Sequence, residues 1–64
     1  MNKLKYYRTQ KHLLQRELAD LSGVKLATIQ KLECGVNSLN GAEMETGYKL
    51  AKALGVSMED LIEL

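Results

Sequence analysis

The sequence has 64 residues, one cysteine, no cysteine–histidine cluster and a formal net charge of +1. A domain of this length buries only about 60% of its unfolded surface, and without a disulfide or metal site, helix packing or dimerisation must stabilise it. No stretch approaches the roughly 20 apolar residues of a membrane span. No signal-peptide pattern is present. The sequence therefore predicts one cytoplasmic domain over residues 1–64, with no membrane partner, cofactor or metal.

Charge is distributed unevenly along the chain. Seven basic and two acidic residues lie between Met1 and Lys31, whereas two basic and six acidic residues follow from Leu32 onward. The basic half suits a polyanion such as nucleic acid, and the acidic half suits solvent or another protein. Solvated helix faces would produce the same asymmetry, so the charge distribution alone does not decide between these interpretations.

Hydrophobic periodicity predicts five helices in a chain that contains no proline. The predicted ranges are about 2–11, 14–22, 25–34, 41–54 and 57 onward. Four glycines lie near the ends of the predicted helices, Gly23, Gly35, Gly41 and Gly55. Asn40 is a predicted N-cap with Glu43 three residues later, and Ser57 with Asp60 repeats that arrangement. These elements predict an all-α fold, a compact five-helix bundle.

The second and third predicted helices are separated by the short segment 22–24, so they must cross steeply. Such a corner needs a small residue where the helices approach and a residue able to take the turn, which Ala19 and Gly23 provide. Apolar residues must lie behind the corner. The second helix also carries leucines with the spacing of a core-facing stripe, Leu14, Leu18 and Leu21.

The third predicted helix has two distinct faces. A helical wheel places one group on the inner side, Val24, Thr28, Ile29 and Leu32. The outer side then carries Leu26, Ala27, Gln30, Lys31 and Cys34. Gln30 can present its amide to an adenine edge, Lys31 can reach guanine or a phosphate, and Ala27 or Leu26 can contact a thymine methyl. This face suits a helix that enters the major groove of DNA.

Two segments carry a resemblance to a known family. Residues 13–35, LLQRELADLSGVKLATIQKLECG, resemble the helix-turn-helix core of the phage repressor and Cro family, also called the XRE family. Residues 48–61, YKLAKALGVSMEDL, resemble its fourth and fifth helices. The resemblance covers essentially the whole chain and implies a lambda-repressor-like fold, with the helix-turn-helix formed by helices 2 and 3.

The resemblance implies a role for individual residues. Gln15 would bind a phosphate at the start of the second helix. The residues that would face the major groove are Lys25, Leu26, Ala27, Gln30 and Lys31, with Thr28 nearer the core. Asn37 and Ser38 would contact the DNA backbone. Arg8 and Glu33 would form a partly buried ion pair that joins the first helix to the third.

Four residues depart from the family pattern. Lys25 and Leu14 replace the usual N-cap residues, and a cation at a helix N-terminus opposes the macrodipole unless a phosphate lies nearby. His12 occupies a position often held by glycine, which predicts a left-handed backbone conformation. Gly47 interrupts the fourth helix where a large apolar residue is usual, and Met44 or Tyr48 is expected to fill the gap.

The resemblance implies a sequence-specific regulator of transcription that binds double-stranded DNA, represses by occupancy and binds a two-fold operator as a homodimer. Its location would be cytoplasmic, as a prokaryotic or phage protein associated with the nucleoid. A protein-interaction module, or an antitoxin whose acidic C-terminal half binds a toxin, remains the alternative. One histidine and one cysteine do not form a catalytic set, so no enzymatic activity is expected.

Overall fold

The computed structural model describes residues 2–34 and 44–61, in which five α-helices follow one another along the chain. These are α1 (Lys3–Gln10), α2 (Gln15–Ser22), α3 (Leu26–Glu33), α4 (Met44–Leu54) and α5 (Met58–Leu61). The predicted all-α fold is confirmed, and the predicted boundaries of α1, α2 and α3 agree to within one residue at each end. Gly35, Asn40 and Glu43, predicted to end α3 and to begin α4, lie outside the described residues.

Two helix ends have the same left-handed capping geometry. After α1, His12 has a φ of 57°, and the amides of His12 and Leu13 donate to the carbonyls of Thr9 and Arg8. After α4, Gly55 has a φ of 72°, and the amides of Gly55 and Val56 donate to Lys52 and Ala51. This pattern is the Schellman motif, in which the left-handed residue usually is glycine. The left-handed conformation predicted for His12 is therefore confirmed.

The corner between α2 and α3 depends on the backbone of Gly23. Its φ is 78°, and its amide donates to the carbonyl of Ala19 over 2.9 Å. A Cβ atom at this position would meet nothing within 4 Å. Glycine is therefore needed here for its backbone conformation and not for space. The Ser22 hydroxyl accepts from the amide of Val24 and fixes the next step of the turn.

The core is formed by aliphatic side chains from all five helices. Five of them are almost fully buried, Leu18, Ile29, Leu50, Leu54 and Leu61. Leu4, Val24, Leu32 and Ala51 complete this core. Tyr7 packs against it, whereas its neighbour Tyr6 is 42% exposed and contacts the Tyr7 ring edge-on. The predicted inner face of α3 is confirmed, with Thr28 half-buried.

The predicted leucine stripe of α2 is wrong for two of its three members. Leu18 is fully buried, but Leu14 and Leu21 are 61% and 60% exposed. Leu14 is the N-cap, with an extended backbone (φ −76°, ψ 159°), so the helical wheel does not describe its direction. Leu21 lies in the last turn, just before Gly23 turns the chain away.

The gap at Gly47 is filled from another helix. Gly47 is buried, and the Met58 methyl lies 3.2 Å from the place where a Cβ atom of residue 47 would be. Met44 and Tyr48, expected to fill this space, are 79% and 56% exposed. That expectation is wrong because α5 packs against α4 at this point and brings Met58 inward. Gly47 thus permits a close approach of α4 and α5.

In the part of the chain that the structure describes, no helix is long and apolar enough to cross a membrane.

Candidate nucleic-acid interface

The outward face of α3 is open to solvent. Its exposed residues are Lys25, Leu26, Ala27, Gln30, Lys31 and Cys34. The same helix buries Ile29 and Leu32 in the core, which holds it in a fixed orientation against the rest of the bundle. Thr28 lies at the boundary and is half-buried. A rigid helix with one free face that carries amide, ammonium and apolar groups is what groove recognition requires.

A shallow depression of about 300 Å³ lies between the beginnings of α2 and α3. It is lined by Leu14, Gln15, Arg16, Leu26 and Gln30. Two leucines and three side chains with hydrogen-bond donors therefore share one concave surface. Sequence reasoning did not select Leu14 or Arg16 for this site. The position of Leu14 directly before Gln15, at the N-cap of α2, is the signal that could have found it.

Gln15 belongs to a polar cluster that joins three helices. Arg8 Nε donates to Glu33 Oε2 over 2.6 Å, and Arg8 Nη2 donates to Glu33 Oε1 over 3.0 Å. Arg8 Nη1 donates to the carbonyl of Leu13 over 2.6 Å. Gln15 Nε2 donates to Glu33 Oε1 over 3.0 Å. The ion pair that the resemblance implied is therefore present, and the same carboxylate also holds the amide of Gln15.

This cluster is largely shielded from water. The side chains of Arg8 and Glu33 are 11% and 3% exposed. A bidentate contact between guanidinium and carboxylate is strong and directional. Because a carboxylate only accepts hydrogen bonds, the nitrogen of the Gln15 amide must face Glu33. The second proton on that nitrogen remains able to donate to another acceptor.

The beginnings of α2 and α3 carry amides without a side-chain cap. Neither Leu14 nor Lys25, the two N-cap residues, makes a side-chain hydrogen bond to its helix. At α2 the Glu17 carboxylate accepts from the Leu14 amide over 2.7 Å. This hydrogen bond satisfies the backbone N–H of the residue that precedes the helix and leaves the first amides of the helix itself without a side-chain partner. Uncapped amides at a helix N-terminus favour an anion, and the exposed Lys25 and Arg16 lie beside them.

The structure changes the interpretation of two charges. Arg8 and Glu33 were counted in the basic and acidic halves of the chain, but their charges neutralise each other in the buried ion pair and do not contribute to the surface charge.

Glu45 is exposed on α4 and pairs with Lys49 over 3.1 Å. Ser57 and Asp60 form a capping box at the start of α5. The Asp60 carboxylate accepts from the Ser57 amide, and the Asp60 amide donates to the hydroxyl of Ser57, the N-cap. The predicted N-cap of α5 is thus confirmed.

Two predicted contact residues, Asn37 and Ser38, lie outside the described residues. Cys34 is an exposed free thiol at the end of α3. His12 is exposed in the turn after α1. Within residues 2–34 and 44–61, no group of histidine, cysteine and carboxylate side chains could hold a metal ion.

Comparison with known proteins supplies the class of the molecule. A family model described as "Helix-turn-helix" matches residues 4–61. The chain belongs to this helix-turn-helix family, the XRE family of its sequence resemblance. It is 40% identical over 60 residues to an uncharacterized HTH-type transcriptional regulator of Methanocaldococcus jannaschii, covering 94% of this chain and 86% of that protein. No solved structure matches the chain.

Proposed function

We propose that this protein is a sequence-specific regulator of transcription that binds double-stranded DNA and reads the major groove with α3. The observation that carries the proposal is the exposed outer face of α3. Lys25, Ala27, Gln30 and Lys31 all reach solvent from it, while Ile29 and Leu32 anchor the opposite face. The family is one of DNA-binding proteins without enzymatic activity, and the archaeal relative is named a transcriptional regulator.

Two adjacent outer residues of α3 have a chemistry suited to a base edge. Glutamine pairs with adenine through N6 and N7, and lysine donates to guanine or to a phosphate. Gln30 and Lys31 are adjacent and exposed, so together they would define the preferred bases. Ala27 is short enough to let the backbone of α3 approach the floor of a groove about 12 Å wide. Thr28, half-buried, would contact the DNA backbone at most.

The start of α2 would hold one phosphate. Gln15 keeps one amide proton free after donating to Glu33, and the first amides of α2 have no side-chain cap. Arg16 is exposed beside them and supplies positive charge. A phosphate here would receive hydrogen bonds from fixed donors, which sets the register of the protein on the duplex but does not read sequence. Asn37 and Ser38 would contact the backbone on the other side of α3.

Repression would follow from occupancy of the operator by a homodimer. A two-fold dimer places its two reading helices about one turn of DNA apart, roughly 34 Å, and so recognises a palindromic site. Duplexes selected from a random pool by the full chain would therefore share a palindrome with this half-site spacing. Recovery of unrelated sequences after several rounds would contradict sequence-specific binding.

The salt dependence of affinity separates this proposal from its rival. Leu14 and Leu26 are exposed leucines on the same surface and would also suit an apolar protein partner. Binding that releases counterions from phosphates gives a log Kd that rises steeply with log salt concentration, with a slope close to the number of contacts. An apolar interface responds weakly. Titrations of the selected duplex between about 50 and 200 mM salt distinguish the two.

A further inference from the structure

The depression between α2 and α3 joins two exposed leucines that come from different helices. Leu14, the N-cap of α2, is 61% exposed, and Leu26, the first residue of α3, is 36% exposed. Both line the same concave surface, together with Gln15 and Gln30. Leaving two leucines in water sacrifices hydrophobic stabilisation that their burial would provide. An apolar ligand at this point would recover it.

We propose that Leu14 and Leu26 together receive the 5-methyl group of one thymine in each half-site of the operator. This inference rests on the proposed function, because it places the depression against the major groove. Leu14 thereby becomes a specificity-determining residue, although it belongs to α2 and not to the reading helix.

The chemistry of the major groove selects thymine as the occupant. Among the four bases, thymine alone presents a methyl group there, beside its O4 acceptor. Gln30 lines the same depression, and its amide can pair with N6 and N7 of an adenine, the partner base of thymine. Gln15 and Arg16 also line the depression and would donate to the phosphate next to that base. Apolar and polar groups thus match a thymine–adenine pair and its backbone.

The test removes the methyl group without altering base pairing. Each thymine of the selected duplex is replaced in turn by deoxyuridine, and Kd is measured for the full chain. We expect one replacement in each half-site to weaken binding roughly fourfold, the factor that corresponds to one buried methyl-sized group. Replacements at the other thymines should change Kd by less than about twofold.

Protein variants assign the methyl contact to the two leucines. In Leu14→Ala and in Leu26→Ala, the same deoxyuridine replacement should weaken binding by clearly less than fourfold, because one of the two leucines that contact the methyl group is gone. Leu21→Ala is the matched control, since Leu21 is 60% exposed on the same helix but lies outside the depression. This variant should keep the full fourfold effect. Circular dichroism verifies that all three variants remain helical.

The results separate failure of the inference from failure of the proposed function. Tight, sequence-specific binding with no sensitive thymine overturns the methyl contact and leaves the regulator proposal intact. If deoxyuridine at the sensitive position still weakens binding fourfold in both Leu14→Ala and Leu26→Ala, other residues contact the methyl group. This result also overturns the inference. If no duplex binds with the steep salt dependence of phosphate contacts, the proposed function fails, and the thymine site fails with it.

Discussion

Gln15 and Arg8 bind the same carboxylate, and this shared partner joins the start of α2 to the interior of α1. Glu33 Oε1 accepts from Gln15 Nε2 and from Arg8 Nη2, each over 3.0 Å. Gln15, half-buried, extends from this cluster to the surface, whereas Glu33 is almost completely buried. Gln15, which is proposed to bind a phosphate, is therefore held in place by the Glu33 carboxylate, and Arg8 neutralises the charge of that carboxylate within the fold.

Removing Arg8 should destabilise the domain strongly. Arg8→Met leaves the Glu33 carboxylate buried without its cation, and breaking a buried pair in this way costs about 3–5 kcal/mol. A domain of this size has little more stability than that, so we expect Arg8→Met to be largely unfolded at 25 °C. Lys49→Met is the control, because the Lys49–Glu45 pair is exposed and contributes less than about 1 kcal/mol.

A second variant distinguishes the buried charge from lost packing. Arg8→Met combined with Glu33→Leu replaces the pair by apolar groups, which is often neutral or even stabilising. Urea unfolding followed by circular dichroism should then show recovery of most of the lost free energy. If the double variant is as unstable as Arg8→Met alone, the unpaired carboxylate is not the cause of the loss.

Gln15 and Gln30 should differ in how they affect DNA binding. We expect Gln30→Ala to weaken binding to the selected site and to change binding to sites altered at one base pair only a little. The difference in binding free energy between the correct and the altered base pair should therefore shrink by about 1–3 kcal/mol. Gln15→Ala should weaken all sequences by a similar factor, because a phosphate contact carries no sequence information. Competition titrations with single-base variants of the selected duplex measure both effects. Equal losses on every sequence from both variants would refute the assigned roles.

The sequence was sufficient to predict α3 and insufficient to predict its surroundings. Ile29 and Leu32 fall on one side of a 3.6-residue period, and burial follows that period within a helix. Leu14 obeys the same spacing but precedes its helix, so its extended backbone directs it elsewhere. The contact of Met58 with Gly47 depends on the packing of α5 against α4, which no local pattern records.

The polar cluster of Arg8, Gln15 and Glu33 was likewise predictable only in part. The resemblance implied the pairing of Arg8 with Glu33, but the hydrogen bond from Gln15 to that carboxylate joins residues 18 positions apart on different helices. Its geometry depends on the relative placement of α2 and α3 around Gly23. The sequence indicates that this corner exists and does not give the distances across it.

Lys25→Ser should change stability and DNA affinity in opposite directions. Lys25 is the N-cap of α3 and makes no side-chain hydrogen bond there, so serine would supply the missing cap. Serine would also remove a cation from the positive end of the helix dipole. We expect the free energy of unfolding to rise by about 1 kcal/mol, and the melting temperature by roughly 4–8 °C.

In the same variant, DNA binding should weaken and the slope of log Kd against log salt concentration should fall by about one phosphate contact. Ser57→Ala provides the opposite control, since Ser57 caps α5 with its hydroxyl and its loss should cost about 1 kcal/mol. A Lys25→Ser variant that is more stable and binds DNA with an unchanged slope would show that Lys25 does not contact a phosphate.

His12→Gly should stabilise the free protein without affecting DNA binding. His12 is exposed with a φ of 57°, a conformation that costs about 1 kcal/mol for a residue with a Cβ atom and little for glycine. Part of that gain is offset by the greater entropy of glycine in the unfolded chain, so we expect a net gain of about 0.5 kcal/mol. Gly55→Ala, at the equivalent position after α4 with a φ of 72°, should lose about 1 kcal/mol. Thermal unfolding of both variants measures these changes, and a destabilised His12→Gly would indicate that the imidazole makes a contribution which outweighs the backbone strain.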